Sequence, residues 1–303
     1  MKLIMRADDV GYTEFANIGT FKAIDEGVIT TADVMLDCPG TVDALEKLKQ
    51  RPWISVGWHT HFWGKPVLPV NEVPSIVDEN GFFKWTVKNV KDVPFHRNVD
   101  PLKNSCDYDE LVKEFRAQIL RCIEVLGRAP DTTSPPAGTT PVEKAKKTVC
   151  EEFGIQYGWF TKGKGNAPSD GLPALPQYAH LEIFMPVQGN GTNKYMGLPA
   201  EGEPERYDVV RGFREDGDNI RDKKIAQLAF HPAYLDDYIM YDGGLDTDFS
   251  RIRVMDVHYM CSKELHDYIR DEGIELINQR DALNGTHEYQ NHLKLIGSDL
   301  CVL

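Results

Sequence analysis

The chain opens with an apolar run of buried-strand length, Lys2-Leu3-Ile4-Met5-Arg6-Ala7, and turns polar at Asp8-Asp9. After Gly11, Thr13 stands as an N-cap, and Ile18, Phe21 and Ile24 recur at helical spacing until Gly27 closes the helix. An apolar piece from Asp33 to Leu36, a helical stretch from Thr41 to Lys49 and a strand from Trp53 to Trp58 follow. This β-α-β-α-β order predicts a parallel sheet with helices packed outside it. The clearest helix carries Leu111, Phe115, Ile119, Cys122, Ile123 and Leu126 as one apolar stripe, opened by Asp107 or Asp109 and stopped by Gly127. A helix from Pro141 to Phe153, strands at 155 to 160 and 225 to 230, a helix around Val257 to Arg270 and a strand from Ile274 to Ile277 complete the pattern.

About seven strand signals alternate with helices, so the chain reads as α/β. A single (β/α) barrel of about seven parallel strands fits better than two domains. The expected boundaries are residues 1–283 for the barrel and 284–303 for a C-terminal extension. An open doubly wound sheet is the alternative, and the lack of a glycine fingerprint after the first strand weighs against a dinucleotide fold. Two stretches rich in Gly and Pro, 64 to 106 and 186 to 206, interrupt the rhythm; in an α/β scaffold such excursions usually cover a site.

Composition narrows the function classes. The 303 residues are 41% hydrophobic and 27% charged, ordinary for a globular protein and long enough to bury a sizeable core. A formal charge of -13 argues against nucleic acid or an anionic membrane as the main partner, because both need a basic face. It leaves a neutral sugar open. The six cysteines are scattered with no CxxC pair, and the sequence shows neither a signal segment nor a long apolar span, so a cytoplasmic location is expected.

Three sets of polar residues fall where predicted strands end: Asp8-Asp9, His59-Thr60-His61 and His231. Parallel strands bring such ends to one face, where active groups of α/β proteins gather. Two adjacent carboxylates cannot both stay ionised in a tight site without a cation or hydrogen-bond donors. Division of labour resolves this: one Asp ligates a divalent metal and the other takes a proton from metal-activated water, whose pKa falls from ~16 to about 7. The blander reading of Asp-Asp is a turn or helix cap. His59 and His61, two apart, share a face of an extended segment and suit one metal, or else one is a ligand and the other an ordinary histidine. His231, beside Pro232 and Tyr234, is a candidate general acid or a hydrogen-bonded structural histidine. Tyr12, Trp58, Phe62, Trp63, Trp85 and Tyr234 are either sugar platforms or core aromatics. Lys65 is either a contact for an anionic group or a solvated lysine.

As an ordered set, Met5-Arg6-Ala7-Asp8-Asp9-Val10-Gly11, Gly27-Val28-Ile29-Thr30-Thr31-Ala32, Val56-Gly57-Trp58-His59 with Gly64-Lys65-Pro66, Leu126-Gly127-Arg128-Ala129-Pro130 and Phe230-His231-Pro232-Ala233-Tyr234 resemble the YdjC-like carbohydrate deacetylases. The likeness runs over residues 1 to about 280. It implies a distorted (β/α) barrel, a divalent metal such as Mg or Zn, and hydrolysis of an acetamido group on a small amino-sugar oligomer. It is also compatible with a homodimer. Carried over by position, Asp9 and His59 are the metal ligands, Asp8 the base and His231 the later active-site histidine; Trp63, Lys65 and Tyr234 are the expected substrate contacts.

The chain departs from the family at one point. Where the family has a histidine-rich run supplying a further ligand, this chain reads Asp131-Thr132-Thr133-Ser134-Pro135-Pro136-Ala137-Gly138, and no histidine occurs between His96 and His180. His61 is the candidate replacement. The alternative is a carbohydrate-binding protein of the same fold that has lost its metal site.

Overall fold

The computed structural model describes residues 1–60, 64–84, 105–133, 140–158, 160–162, 177, 181, 183–185, 207–217, 219–242 and 247–303. Eight parallel strands run through them: β1 (Lys2–Val10), β2 (Thr31–Val34), β3 (Ser55–Trp58), β4 (Thr132–Thr133), β5 (Phe160–Lys162), β6 (Ile183–Met185), β7 (Ile225–Phe230) and β8 (Glu275–Leu276). Their order is β4-β3-β2-β1-β7-β6-β5, with β8 added at the start of β1. A parallel bridge from Thr132 to Gln156 returns the chain just before β5 to β4, so the seven-strand path curls into a distorted barrel. The single α/β barrel of about seven strands is thereby borne out, with β8 as a two-residue addition.

The helices are α1 (Glu14–Asp25), α2 (Thr41–Lys49), α3 (Tyr108–Leu126), α4 (Pro141–Phe153), α5 (Val209–Glu215), α6 (Thr247–Met260), α7 (Lys263–Asp271), α8 (Gln279–Asn284) and α9 (Glu288–Leu295). Thr13 caps α1 through a hydrogen bond from Ala16 N, and Asp107 caps α3. Gly127 ends α3 at φ 91°, a left-handed conformation that glycine adopts without Cβ strain. Two helical expectations change. Ile18 faces outward, 49% exposed, so the buried face of α1 is made by Phe21 and Ile24 together with Ala16, Asn17, Gly19, Thr20 and Ala23. The long helix expected around Val257 to Arg270 is broken at Cys261, where Ser262 caps α7 by accepting from Leu265 N.

Alternation along β1 divides the interior. Leu3, Met5 and Ala7 join the large core between strands and helices, while Ile4 packs with Ile183, Met185, Ile225 and Ile277 into a small apolar plug. Above the plug the barrel is polar. Gln279 donates from Nε2 to Gln227 Oε1 (2.8 Å) and from its backbone N to Thr31 Oγ1 (3.3 Å), and it accepts from Thr132 Oγ1. Each of these buried polar groups therefore has a partner, which offsets its desolvation. Tyr289, Leu293 and Leu300, near the end of the chain, are buried in the large core. Among the described residues no helix is long and apolar enough to cross a membrane.

Candidate active site

The sequence reading places Asp8-Asp9 just past the first strand; the structure keeps both inside β1, and the reason is a bulge. Ala7 pairs with Ala32 and Val10 with Val34, so three steps on β1 match two on β2. Asp9 takes a positive φ of 58° within this irregularity. Regular alternation sends neighbouring side chains to opposite faces, and the extra residue cancels that for Asp8 and Asp9. Both carboxylates thus meet the same imidazoles, while Val10 returns to the outer core. A non-glycine residue in this backbone region costs of order 1–3 kcal/mol and persists only where its surroundings hold it.

His59 Nε2 lies 3.1 Å from Asp9 Oδ1 and 3.8 Å from Asp8 Oδ2. His231 Nε2 lies 4.0 Å from an oxygen of each carboxylate. The segment after β3 is steered by its own backbone: His59 N donates to Val34 O (2.9 Å), and Thr133 Oγ1 donates to Trp58 O (2.7 Å). Asp8, Asp9, His59 and His231 therefore converge at the carboxyl ends of β1, β3 and β7, as the parallel topology requires.

Two buried arginines, absent from the sequence-derived candidates, hold the carboxylates. Arg6 lies two residues before Asp8 on the same strand face and approaches it with both Nε (2.6 Å) and Nη2 (2.8 Å). Its Nη1 also lies 3.3 Å from Asp33 of β2. Arg253 of α6 donates to Asp9 Oδ2. Asp33 fits because residue 57 is glycine: a Cβ there would stand 1.8 Å from Asp33 Oδ1. Arg6 and Asp33 carried a signal in their spacing, since alternation puts Arg6 on the face of Asp8 and a charged residue interrupts an apolar strand. Arg253 carried none, because nothing in a helix register names its partner on a distant strand.

The electrostatics follow from burial and these pairs. Burial pushes the Asp8 carboxyl up, but Arg6 and then His59 and His231 hold it below its ordinary value. Burial opposes charge on His59, yet Asp8 and the hydrogen bond to Asp9 raise it. His231 goes the other way: burial outweighs Asp9 and Asp8 and lowers it to about 4, leaving a neutral imidazole at pH 7.

A carboxylate oxygen and an imidazole nitrogen bound to one ion at about 2.1 Å stand roughly 3–3.5 Å apart. The Asp9–His59 pair matches two positions of a divalent-cation site in both spacing and donor chemistry. Among the described residues no group of three or more His, Cys, Asp or Glu side chains is disposed to hold a metal. His61, Trp63 and the run 134–139 lie outside the described residues. Of the other expected contacts, Lys65 is exposed with its ammonium 4.9 Å from the Phe82 ring centre, and half-buried Tyr234 lies 6.4 Å from the Phe15 ring. Tyr12 and Trp58 are core residues, and Trp58 Nε1 donates to Gln118 (3.1 Å) in the helical layer. Phe62 and Trp85 lie outside the described residues.

Fold and site define a parallel β/α barrel with two carboxylates and two imidazoles at its carboxyl-end mouth. Residues 2–132 match the family model described as YdjC-like protein, which bears out the resemblance read from the motifs. Carbohydrate deacetylase 2 of Listeria innocua is 25% identical over 287 residues, covering 93% of this chain and 98% of the relative. Carbohydrate deacetylase of Brevibacillus brevis is 24% identical over 286 residues, covering 91% and 98%. A crystal structure of a proposed cellobiose-phosphate cleavage protein from Enterococcus faecalis, 21% identical, gives a TM-score of 0.62 over 92% of this chain and 98% of that one, which bears on the fold alone.

Proposed function

We propose that this protein is a hydrolase that removes the acetyl group from an N-acetylated amino sugar or a small oligosaccharide of such units. The observation that carries the reading is that the His59 and His231 imidazoles each come within about 4 Å of both the Asp8 and Asp9 carboxylates in one mouth. The carbohydrate deacetylase names of the relatives, which share nearly the whole chain length, support the same chemistry.

Amide hydrolysis needs a water made nucleophilic, a stabilised oxyanion and a proton for the departing nitrogen. Asp9 and His59 are the residues to hold a divalent cation, with His61 as the proposed third ligand; such a cation supplies polarisation of the carbonyl and acidification of water. Asp8, kept ionised by Arg6, takes the proton of the attacking water. His231 rests neutral, so it must gain the proton it later gives to nitrogen. Asp8 Oδ2, 4.0 Å from His231 Nε2, is the source within reach. Arg6 and Arg253 fix the two carboxylates so that little reorganisation accompanies the charge movement.

The test is acetate release from N-acetylated chito-oligosaccharides by the purified protein, with free amine counted in parallel. One amine per acetate is expected, with turnover falling on chelation and returning with Mg or Zn. No acetate from any of these sugars, with cation present, would contradict the reading.

A further inference from the structure

We propose that Asp256 of α6 is a positioning residue for His231, acting through the backbone of that histidine; the inference rests on the reading of His231 as the proton donor to nitrogen. The ladder between β1 and β7 ends at the pair Ala7 and Phe230. Lys2 N donates to Lys224 O at the start of that ladder, so the β7 N–H groups that face β1 are those of 226, 228 and 230, and the N–H of His231 points away from β1. Asp256 Oδ2 takes that hydrogen at 2.7 Å, and its Oδ1 accepts from the Tyr207 hydroxyl. Both groups are nearly sealed from solvent, Asp256 at 1% and Tyr207 at 3% exposure, so neither oxygen has water as a substitute.

The rest of the turn is held in the same way. Ala233 N donates to Arg253 O at 3.2 Å, and Thr20 Oγ1 donates to Pro232 O at 2.6 Å. A Cβ on Gly19 of α1 would stand 2.6 Å from Tyr234 N, so α1 packs directly on this backbone. Tyr207 is fixed in turn by the Tyr259 hydroxyl on its carbonyl at 2.8 Å and by an edge contact between the two rings. Arg253 and Asp256 stand one helical turn apart, on the face of α6 that looks into the site. One reaches Asp9 and the other reaches His231, so a single helix register sets the span between the carboxylate and the imidazole.

The substitutions Asp256→Ala and Asp256→Asn separate positioning from charge, at a pH of about 8. The asparagine keeps an oxygen for the His231 N–H, and its amide group faces a tyrosine oxygen able to accept. On N-acetylated chito-oligosaccharides the alanine variant is expected to lose on the order of a hundredfold in kcat with little change in KM, the scale of a misplaced catalytic group. The asparagine variant is expected to recover most of that loss. Independently of activity, the His231 amide proton resonance is expected to move upfield in the alanine variant and to stay near its wild-type position in the asparagine variant.

Equal kcat in wild type and a folded alanine variant would overturn the proposal, as would an asparagine variant as impaired as the alanine. A His231 amide resonance unmoved in both variants would overturn it whatever the activities. Should the wild type release no acetate, the deacetylase reading fails separately, and the positioning claim stands or falls on the amide resonance.

Discussion

The His59 imidazole nitrogen stands 3.1 Å from Asp9 Oδ1, although one residue follows the third strand and the other belongs to the first. That contact exists because β1 spends one extra residue between Ala7 and Val10, turning Asp9 inward beside Asp8. The mouth of the barrel is therefore shaped by a backbone irregularity as much as by side-chain choice.

Gly57→Ala is expected to damage the site from beneath. The added methyl would meet Asp33, whose carboxylate is buried against Arg6, and Arg6 in turn holds Asp8. Overpacking of this kind costs about 1–3 kcal/mol. Chemical denaturation should show that loss, and acetate release should fall further than the loss of folded protein explains.

Arg253→Leu is expected to be more severe. It removes a guanidinium that is 1% exposed and leaves the Asp9 carboxylate buried with one strong donor fewer. Breaking a buried pair from one side costs about 3–5 kcal/mol. A drop in thermal midpoint well beyond that of Arg211→Leu, an exposed arginine on α5, is the expected result.

The stability of the protein should depend on pH through Asp256. Burial raises its carboxyl to about 7, against the Tyr207 hydroxyl, the His231 N–H and Arg253, which favour the ionised form. The folded state thus holds this proton more tightly than the unfolded chain does. Its stabilising contribution is complete below about pH 4 and is lost as pH rises through about 7. His231, lowered to about 4, contributes in the opposite sense below about 6.5, so the comparison between proteins isolates Asp256. From pH 5 to 7 the urea midpoint of wild type should fall relative to that of Asp256→Asn. Parallel curves for the two would count against the assignment.

The parallel barrel was legible in the alternation of strand and helix, because buried strands and amphipathic helices impose their periods on sequence. The limits of α2 and α4, and the capping of α3 by Asp107 and Gly127, match the sequence reading, since capping chemistry is local. That the ends of β1, β3 and β7 meet at one mouth followed from topology, whereas Asp9 reaches that mouth beside Asp8 only through the bulge. What escaped was long-range or irregular. The bulge leaves Asp9 with a positive φ that no residue type announces, and Ile18 sits at core spacing yet faces solvent. Arg253 and Asp256 lie one turn apart on a helix whose partners are in β1 and after β7, a relation that local pattern does not encode.

The most direct measurement is the rate of acetate release by wild type, Asp8→Asn and His231→Ala on one N-acetylated chito-oligosaccharide, with cation supplied. General acid–base groups contribute about 10²–10⁴-fold, so each variant should lose at least the lower figure in kcat while remaining folded. Wild-type turnover matched by both folded variants would show that the acetyl group leaves without these two side chains, and the assignment of the mouth as the reacting centre would be wrong.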